Sequence, residues 1–391
     1  MGAYYCSKIF NEAVSAVVLY LSYDGLTDPL GQSQILPYAV GLSKKDYKFT
    51  IISFEKHSVF LKQRGEIEAI CKEYGIEWVP LRYHKRPPVI STVYDLWELW
   101  REVKKKYHQK KIQIVHCRSY LTSLIGLHAK HKWGVKFIFD MRGFWADERV
   151  EGGLWNLENP VYKLTYKFFK RKERQFLREA DHIISLTHNA KKELQSWNIG
   201  AAPIAVIPTC VDLDLFDPSK IKKEDQIQLR TKLGIGENEF VLLYLGSWGT
   251  WYLTERMLKF FSVLKKQTPE AKFLIVSSNN IDLNDHPFRS SIVIANAQRH
   301  LVPLYISLAS ASVFFINPSF SKKASSATKM AEIMAMNVPV ITNPGWGDAV
   351  EIVSEAGGTL YNDEKEINPM KYEQLVKTRA YCREKLSQNG D

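Results

Sequence analysis

Residues 325–343 read SSATKMAEIMAMNVPVITN, and this stretch decides the fold class. Its small and hydroxyl-bearing start, followed by an apolar run, predicts a loop that leads into a short helix over Ser326–Ala335. The Asn-Val-Pro turn and the β-branched residues around it predict a buried strand over Val338–Thr342. A helix that turns directly into an apolar strand is typical of a parallel α/β sheet.

The same alternation of helices and strands runs outward from this stretch through most of the chain. We predict strands at Val17–Ser22, Phe49–Phe54, Ile114–His116, Phe137–Asp140, His182–Leu186 and Ile204–Pro208, and again at Val241–Leu245, Phe273–Val276, Ile292–Ala295, Val313–Ile316 and Val338–Thr342. The helical segments between them include Gln34–Leu42, Tyr94–Lys105, Ser219–Leu233, Arg256–Gln267 and Val302–Ser310. Because the pattern restarts after the turn-rich residues 208–218, we predict two doubly wound, Rossmann-like α/β domains over residues 1–210 and 211–391.

Length and composition support two domains. The chain has 391 residues with 45% hydrophobic content, which is enough for two full cores. The polar segment Met1–Glu12 and the short apolar run Val14–Ser22 predict neither a signal peptide nor a membrane-spanning helix, so we expect a cytoplasmic protein. The five cysteines are odd in number and form no Cys-x-x-Cys pair, which favours reduced thiols over disulfides or structural zinc; they are Cys6, Cys71, Cys117, Cys210 and Cys382.

The net charge of +11 predicts an acidic partner or surface. Much of it lies in two runs: Arg101, Lys104, Lys105, Lys106, Lys110 and Lys111, and then Lys163, Lys167, Lys170, Arg171, Lys172, Arg174 and Arg178. Either run can be a solvated helix face. In the second, Tyr162, Tyr166 and Phe169 recur at helical spacing, so Asn159–Arg178 is also a candidate for contact with an anionic membrane surface. We expect no nucleic acid partner, because neither run forms an RNP-like strand motif or a helix-turn-helix.

Within the opening stretch, Thr328, Lys329 and Glu332 fall within one helical turn. A lysine at the positively polarised start of a helix, with the hydroxyls of Ser326 and Thr328 beside it, suits a diphosphate. A carboxylate one turn deeper can accept both hydroxyls of a ribose. The alternative is a capping box, in which Ser or Thr and Glu satisfy the helix backbone and the lysine is solvated.

Several separated motifs resemble the group 1 glycosyltransferases of the GT-B fold. They are the opening stretch, Val18–Gly25 (VLYLSYDG), Ala180–Ser185 (ADHIIS), residues 337–341 (NVPVI), which stand where the family has Gly-x-Pro-Val-Ile, and residues 207–212 (IPTCVD), which are similar to the hinge Ile-Pro-Asn-Gly-Val-Asp. The resemblance covers roughly residues 16–360 and preserves the order of the motifs. It implies two Rossmann-like domains facing a central cleft, with the nucleotide sugar held mainly by the C-terminal domain.

On the donor side, the resemblance assigns Glu332 to the second glutamate of the family's Glu-x7-Glu motif, with a ribose-binding role. The first glutamate falls on Ala324, so a carboxylate usually near the transferred sugar is missing. After the strand Val241–Leu245 the family often has Gly-Arg and a nearby lysine. Here the loop lacks that cation, and its candidate donor-binding residues are Gly246, Ser247, Gly249 and Thr250. Trp248, Trp251 and Tyr252 could stack on a base or sugar or could pack in the core.

Glycines in the loop after the first strand permit tight backbone turns, and Gly31 is a further candidate for donor binding. A steric role for that glycine is the alternative.

On the acceptor side, the strand Phe137–Asp140 is followed by a loop rich in charged and aromatic residues. Ligands of open α/β sheets bind beyond the carboxyl ends of the strands, so such a loop faces a site. The family carries a histidine or aspartate near the reacting centre there, which makes Asp140 the candidate for orienting acceptor or donor sugar. The other acceptor-side candidates are His116, Arg118 and Trp145, with Arg142 either catalytic or paired to a neighbouring aspartate.

The resemblance implies a retaining, metal-independent transfer of a sugar from UDP or GDP to a glycan or lipid-linked acceptor, as in polysaccharide biosynthesis. We expect no cofactor and no metal, since Asp212 and Asp214 fall at the hinge rather than at a strand end. Asp140, Lys329 and Arg142 are the predicted catalytic residues. A sugar-nucleotide epimerase or a phosphorylase of the same fold, and a non-catalytic nucleic-acid-binding or scaffold protein, remain open as alternatives.

Overall fold

The computed structural model describes residues 16–361 and 372–388, so Cys6 and the predicted polar segment Met1–Glu12 lie outside the described residues. The chain divides into two compact units, with the division between Pro208 and Thr209. In the described ranges, none of the helices combines the length and apolar character needed to cross a bilayer. Cys71, Cys117, Cys210 and Cys382 are buried free thiols.

The first unit is built on a seven-stranded sheet in the order β3-β2-β1-β4-β5-β6-β7. Every neighbouring pair is parallel. The strands are β1 Val17–Ser22, β2 Lys48–Glu55, β3 Glu77–Arg82, β4 Ile114–Arg118, β5 Lys136–Asp140, β6 His182–Ser185 and β7 Ile204–Val206. The helices are α1 Pro29–Gln34, α2 Leu36–Ser43, α3 His57–Glu73, α4 Ile90–Gln109, α5 Ser119–Trp133, α6 Trp145–Glu151, α7 Pro160–Glu179 and α8 His188–Ser196.

The second unit has a six-stranded parallel sheet in the order β10-β9-β8-β11-β12-β13. Its strands are β8 Val241–Leu245, β9 Lys272–Val276, β10 Ile292–Ala295, β11 Ala311–Val313, β12 Val340–Thr342 and β13 Thr359–Leu360. Its α-helices are α9 Lys223–Leu233, α10 Thr254–Gln267, α11 Val302–Ile306, α12 Thr328–Ala335, α13 Ala349–Ala356 and α14 Tyr372–Tyr381. The prediction of two Rossmann-like α/β units is confirmed.

Two strands escape prediction, and one is displaced. β3 is an edge strand that contains Pro80 and is mostly half-buried, so its sequence shows no continuous apolar run. β13 has only two residues. The strand predicted at Val313–Ile316 lies instead at Ala311–Val313, because the Asn343 side chain pairs with both backbone groups of Ile316, at 2.8 and 2.9 Å.

Helix boundaries also differ from the prediction at several places; for example, the helix predicted over Tyr94–Lys105 spans Ile90–Gln109. The segment predicted as Gln34–Leu42 forms α1 and α2, which meet at Ile35 because Pro37 lacks the N–H that a continuous helix needs. α11 ends at Ile306 rather than at Ser310. The charged helix begins at Lys223, after a separate 3-10 turn over Pro218–Lys220.

The parallel arrangement collects the strand ends of the first unit into one row. Ser22, Arg118 and Asp140 are the last residues of β1, β4 and β5, and the sheet pairs Ser22 with Arg118 and Arg118 with Asp140. Side chains that are far apart in sequence therefore come together at the carboxyl edge, where open α/β sheets bind ligands.

Candidate active-site residues

The loop after β8 brings backbone close to Lys329. Gly246 has a φ of +121°, and its N–H donates to the Val276 carbonyl at 2.9 Å. A Cβ at position 246 would lie 2.8 Å from the Lys329 Nζ. The backbone conformation of position 246 favours glycine, and a side chain there would displace the Lys329 ammonium.

Lys329 lies in the first turn of α12 with its ammonium inside an aromatic cage. Nζ is 3.6 Å from the ring centre of Tyr252 and 4.5 Å from that of Tyr244, and it donates to the Tyr244 hydroxyl at 3.4 Å. Burial lowers the pKa of Lys329 well below its ordinary value, and Glu332 opposes this effect only in part. Among the described residues Lys329 forms no ion pair, so an anion that reached it would gain the full interaction.

The start of α12 rules out the capping-box alternative. The N-cap residue is Ala327, which has no side-chain oxygen, and no side chain caps this end of the helix. Glu332 instead accepts from Arg299 Nη1 at 2.5 Å, and Arg299 stacks on the Phe216 ring at 4.8 Å. Sequence reasoning missed Arg299, although its place just after β10 was a usable signal.

The hydroxyl residues before α12 divide into two groups. Ser326 accepts from the Thr209 N–H at 3.1 Å and shares a hydrogen bond with the Thr209 hydroxyl at 2.5 Å. The structure therefore gives the predicted donor-binding Ser326 a role in holding the start of the second unit. Thr328 is the first residue of α12 and is half-buried, one residue from Lys329.

The other predicted donor residues lie along the loop between β8 and α10. Ser247 and Thr250 are exposed, Gly249 has open space at its Cβ position, and Thr250 has a φ of +59°. Trp251 stacks against the Lys322 ammonium at 3.7 Å, as Tyr252 does against Lys329. Trp251 and Tyr252 thus pack against lysine ammonium groups of the same unit, whereas Trp248 packs against the Tyr244 ring at 5.3 Å. Ala324, at the position of the missing glutamate, is buried.

In the first unit, Asp140 is buried and lies between cationic or protonatable groups. Its Oδ2 is 3.4 Å from His116 Nε2, and its Oδ1 is 3.8 Å from Arg142 Nη1. Burial alone would raise the pKa of Asp140, but Arg142 and the hydrogen bond from His116 hold it below the ordinary value. Asp140 is therefore a carboxylate at neutral pH, and its Oδ1 has no hydrogen-bond partner within the described chain.

Two guanidinium groups converge beside this carboxylate. Arg118 donates to Gln34 Oε1 at 3.1 Å, and Arg142 donates to the same oxygen. Arg118 also pairs with Asp24 at 3.2 Å, while its Nη1 is buried without a hydrogen-bond partner among the described residues. The structure thus brings His116, Arg118, Asp140 and Arg142 together at the carboxyl edge of the first sheet, where the sequence analysis expected them. Gln34 was missed because its role depends on the fold of α1 against the sheet.

Trp145 lies in a different environment from the other acceptor-side candidates. Its ring packs against Tyr120 at 5.7 Å, Trp155 at 5.2 Å and Phe169 at 4.9 Å. These contacts join α5, α6 and α7, so packing between helices accounts for this tryptophan.

Gly31 lies within α1 rather than in the loop before a helix, which corrects its expected place. A Cβ on Gly31 would come within 2.0 Å of the Gly25 carbonyl oxygen and 2.6 Å of the Leu26 Cα. The loop that it touches is held by the buried Glu55, which accepts from the Leu26 N–H at 2.8 Å and the Thr27 N–H at 3.1 Å. The glycine thus permits a backbone contact inside the first unit.

We expect Gly31→Ala to lower the free energy of unfolding by about 1–3 kcal/mol or more, because the backbone must shift to admit the methyl group. Urea denaturation measures the change. The matched control is Gly41→Ala in α2, where nothing lies within 4 Å of the added Cβ and alanine should stabilise the helix by about 0.5–1 kcal/mol. Equal stability of the two variants would contradict the steric role of Gly31.

Both basic runs are only partly solvated. Lys106 is buried, and it and Lys110 pair with Glu77 at 2.8 and 2.7 Å. In α7, Phe169 is buried, whereas Tyr162 and Tyr166 are half-buried and Tyr166 donates to Asp147. The exposed apolar side chains of that helix are Val161, Leu164 and Phe168.

One group of side chains has the spacing of metal ligands. His84, Asp95 and Glu98 each place one ligand atom within 4.8 Å of the others. Asp95 already accepts hydrogen bonds from the Tyr23 hydroxyl at 2.7 Å and pairs with His84 Nδ1 at 2.6 Å. The buried Asp95 carboxylate thus has its hydrogen-bond partners within the protein, without a metal ion.

Known proteins are similar to this chain in sequence over part of its length and in fold over most of it. Residues 34–215 match the family model described as Glycosyltransferase Family 4. A D-inositol 3-phosphate glycosyltransferase of Nocardioides is 25% identical over 167 residues, 42% of this chain and 33% of that protein. An alpha-monoglucosyldiacylglycerol synthase of Streptococcus pneumoniae is 26% identical over 218 residues, 52% of this chain and 47% of that protein. The chain therefore spans a third to a half of these relatives.

The structure of HepE from Anabaena, determined with UDP and glucose, covers 95% of this chain and 95% of its own length with a TM-score of 0.65. Its sequence identity to this chain is 13%, so the likeness concerns the fold. Together with the two Rossmann-like sheets, this likeness shows that the chain has the GT-B fold, and residues 34–215 are similar to Glycosyltransferase Family 4.

Proposed function

We propose that the protein transfers a sugar from a nucleoside diphosphate sugar, with UDP or GDP as the carrier, to a glycan or lipid-linked acceptor. The observation that carries the proposal is the buried, unpaired Lys329 ammonium at the uncapped start of α12, against Gly246. A buried cation in the first turn of a helix is suited to a diphosphate, whose charge grows as it leaves the sugar, because the positive end of the helix also favours an anion.

The chemistry requires little covalent participation by the protein. The bond between the anomeric carbon and the diphosphate breaks, a bond from the acceptor oxygen to that carbon forms, and the acceptor proton passes to a departing phosphate oxygen on the same face. This course retains the configuration of the sugar. It needs no metal if Lys329 and the α12 backbone balance the diphosphate charge.

Glu332 is proposed to bind the ribose hydroxyls, with Arg299 as the residue that holds its carboxylate in place. The 2.5 Å bond from Arg299 occupies Oε1. A carboxylate has lone pairs on both oxygens, so Oε2 can accept from ribose while Oε1 keeps its arginine.

On the acceptor side, Asp140 is proposed to orient the incoming hydroxyl, with Arg142 and His116 holding the carboxylate in its ionised form. The relative from Streptococcus pneumoniae, named for a glucosylated diacylglycerol, supports a lipid-linked acceptor. Such an acceptor would place the protein on the cytoplasmic surface of a membrane, where nucleotide sugars are made.

A thermal-shift panel with UDP, GDP, dTDP and CMP in EDTA tests the donor proposal. A diphosphate at a hundred times its dissociation constant should stabilise the wild type by about 2.7 kcal/mol, a Tm rise of roughly 5–11 °C for a unit of this size. Glu332→Ala should lose most of that rise, whereas Glu351→Ala, an exposed glutamate of α13, should keep it. Absence of any shift would favour the non-catalytic alternative.

Product analysis with the stabilising nucleotide sugar, with and without added acceptor in EDTA, tests the reaction. Transfer to an acceptor is the expected result. Conversion of the sugar nucleotide without acceptor would instead assign an epimerase, and activity that EDTA abolishes would contradict the metal-independent course.

A further inference from the structure

The first turns of α4 show the reverse of the usual burial pattern. Ser91 and Asp95 face the interior, whereas Ile90, Val93 and Trp97 are 67%, 60% and 55% exposed. Five of the fourteen large hydrophobic side chains that are exposed in the described part of the chain fall within residues 89–97. This clustering distinguishes the segment from the singly scattered apolar residues that any surface carries.

The rotation of α4 is set by the buried Asp95. Its Oδ2 accepts from the Tyr23 hydroxyl at 2.7 Å and from the His84 N–H at 3.3 Å, and its Oδ1 pairs with His84 Nδ1. Because Asp95 must face these partners, the opposite side of the helix must face outward. The exposed residues Ile90, Val93 and Trp97, called the apolar stripe below, are therefore kept in solvent by a buried polar network.

Basic side chains flank the stripe. Lys85 and Arg86 are exposed directly before it, and Arg101 lies over the Trp97 ring at 5.2 Å one turn beyond. The acidic neighbours Glu98 and Glu102 are mostly buried and lie beside Arg101, at 3.7 and 3.9 Å. Exposed tryptophan and aliphatic residues with lysine and arginine at the rim are the pattern of an interfacial membrane contact.

We propose that this surface inserts into the interface of a bilayer that contains anionic lipid. The insertion surface is defined as Lys85, Arg86, Val89, Ile90, Val93 and Trp97. The apolar residues enter the boundary between headgroups and acyl chains, and the basic residues pair with lipid phosphates.

The position of the insertion surface relates it to the acceptor. α4 follows the carboxyl end of β3, and the carboxyl ends of parallel strands share one edge, so the surface lies along the same edge as Arg118 and Asp140. This connection rests on the proposed function and deepens it, since it assigns the acceptor to lipids held in an anionic membrane.

Vesicle flotation tests the proposal with phosphatidylcholine alone and with phosphatidylglycerol added. The wild type should float with the anionic vesicles at low salt. The variant Ile90→Ser/Val93→Ser/Trp97→Ser should partition at least about tenfold less, since each apolar side chain adds to interfacial binding. The matched control is Leu61→Ser in α3, which removes an equally exposed apolar side chain elsewhere and should change nothing.

A second readout reports insertion directly. Val93→Cys and Leu61→Cys, each carrying a polarity-sensitive fluorophore, should respond differently to anionic vesicles, with a blue shift at position 93 only. Both labelled proteins also carry Cys6→Ser, and the other four cysteines, Cys71, Cys117, Cys210 and Cys382, are buried, so the label reports the introduced thiols.

Three outcomes would overturn the proposal: a wild type that does not float, a triple-serine variant that floats as well as the wild type, or equal fluorescence shifts at both positions. Loss of flotation in Lys163→Ser/Lys167→Ser/Arg171→Ser with full flotation of the triple-serine variant would assign the membrane contact to α7 instead. Nucleotide thermal shifts are measured on the same variants. Flotation without any nucleotide shift would leave the insertion surface standing and remove the transferase proposal.

Discussion

Lys329→Met should lower kcat/KM for sugar transfer by roughly two to three orders of magnitude, which is the largest effect that we expect from a single side chain. Removing one preorganised group that stabilises charge in a transition state costs about 3–4 kcal/mol. Lys329 is buried in its aromatic cage, so neither water nor, within the described chain, a neighbouring cation can take its place. Initial rates over a range of donor concentrations measure the effect.

Folding should not account for that loss. Methionine has a similar volume to lysine and removes a buried ammonium that forms no ion pair with described residues, so the free energy of unfolding should be unchanged or increased. The matched control is Lys323→Met, which changes an exposed lysine of the preceding loop and should leave the rate nearly unaffected. Equal rates for Lys329→Met and the wild type would remove Lys329 from the mechanism.

The same lysine predicts how nucleotide binding depends on pH. Burial lowers the pKa of Lys329 in the free protein, and a bound diphosphate should raise it again. Between the pKa of Lys329 in the free protein and its higher pKa in the complex, the complex keeps a proton on Lys329 that the free protein has lost. Nucleotide affinity should therefore fall as pH rises through this range. Calorimetry in buffers of different ionisation enthalpy should show proton uptake by the wild type and none by Lys329→Met.

Asp140→Ala should both destabilise the first unit and stop transfer. The substitution leaves Arg142 and Arg118 buried beside a position without charge, and breaking such a network from one side typically costs about 3–5 kcal/mol. A loss of that size lowers Tm by roughly 6–20 °C for a unit of about 200 residues. Differential scanning calorimetry measures it.

Asp140→Asn separates the two effects, because asparagine keeps the shape and its Oδ1 remains a hydrogen-bond acceptor. We expect transfer to fall by about a hundredfold or more, because a misplaced acceptor hydroxyl costs about that factor in rate. Nucleotide binding should be unchanged, since its proposed residues lie in the second unit. Asp24→Ala serves as the control: this half-exposed partner of Arg118 should contribute no more than about 1 kcal/mol. A weaker nucleotide shift in Asp140→Asn would contradict the division of roles.

Most of the sheet architecture could be predicted from the sequence. The apolar runs of β1 and β8 were located to the residue, because a strand buried on both faces must be apolar throughout. The residues at the ends of β4 and β5 could be grouped for the same reason, since parallel strands align their carboxyl ends. β3 and β13 escaped because an edge strand with a proline and a two-residue strand leave little pattern in sequence.

The partners of the candidate site residues could not be predicted. Lys329 and Glu332 were identified, but their contacts with Tyr252, Gly246 and Arg299 join residues from different loops. The roles of Gln34 and Arg299 likewise follow from hydrogen bonds over 84 and 33 residues of sequence. Gly31 was assigned to ligand binding, whereas the structure shows a close approach of backbone that no local pattern encodes.

The sequence by itself determined the two-unit α/β class, the positions of most strands along the chain and the edge where charged residues collect. These features depend on hydrophobic periodicity and turn residues, which are local properties of the chain. Only the tertiary structure decided which side chains meet. The outward turn of Ile90, Val93 and Trp97 is the clearest case, since it depends on Asp95 reaching Tyr23 across 72 residues of chain. Burial of the Asp95 carboxylate depends on residues far away in the sequence, and it determines which face of α4 remains exposed to a partner.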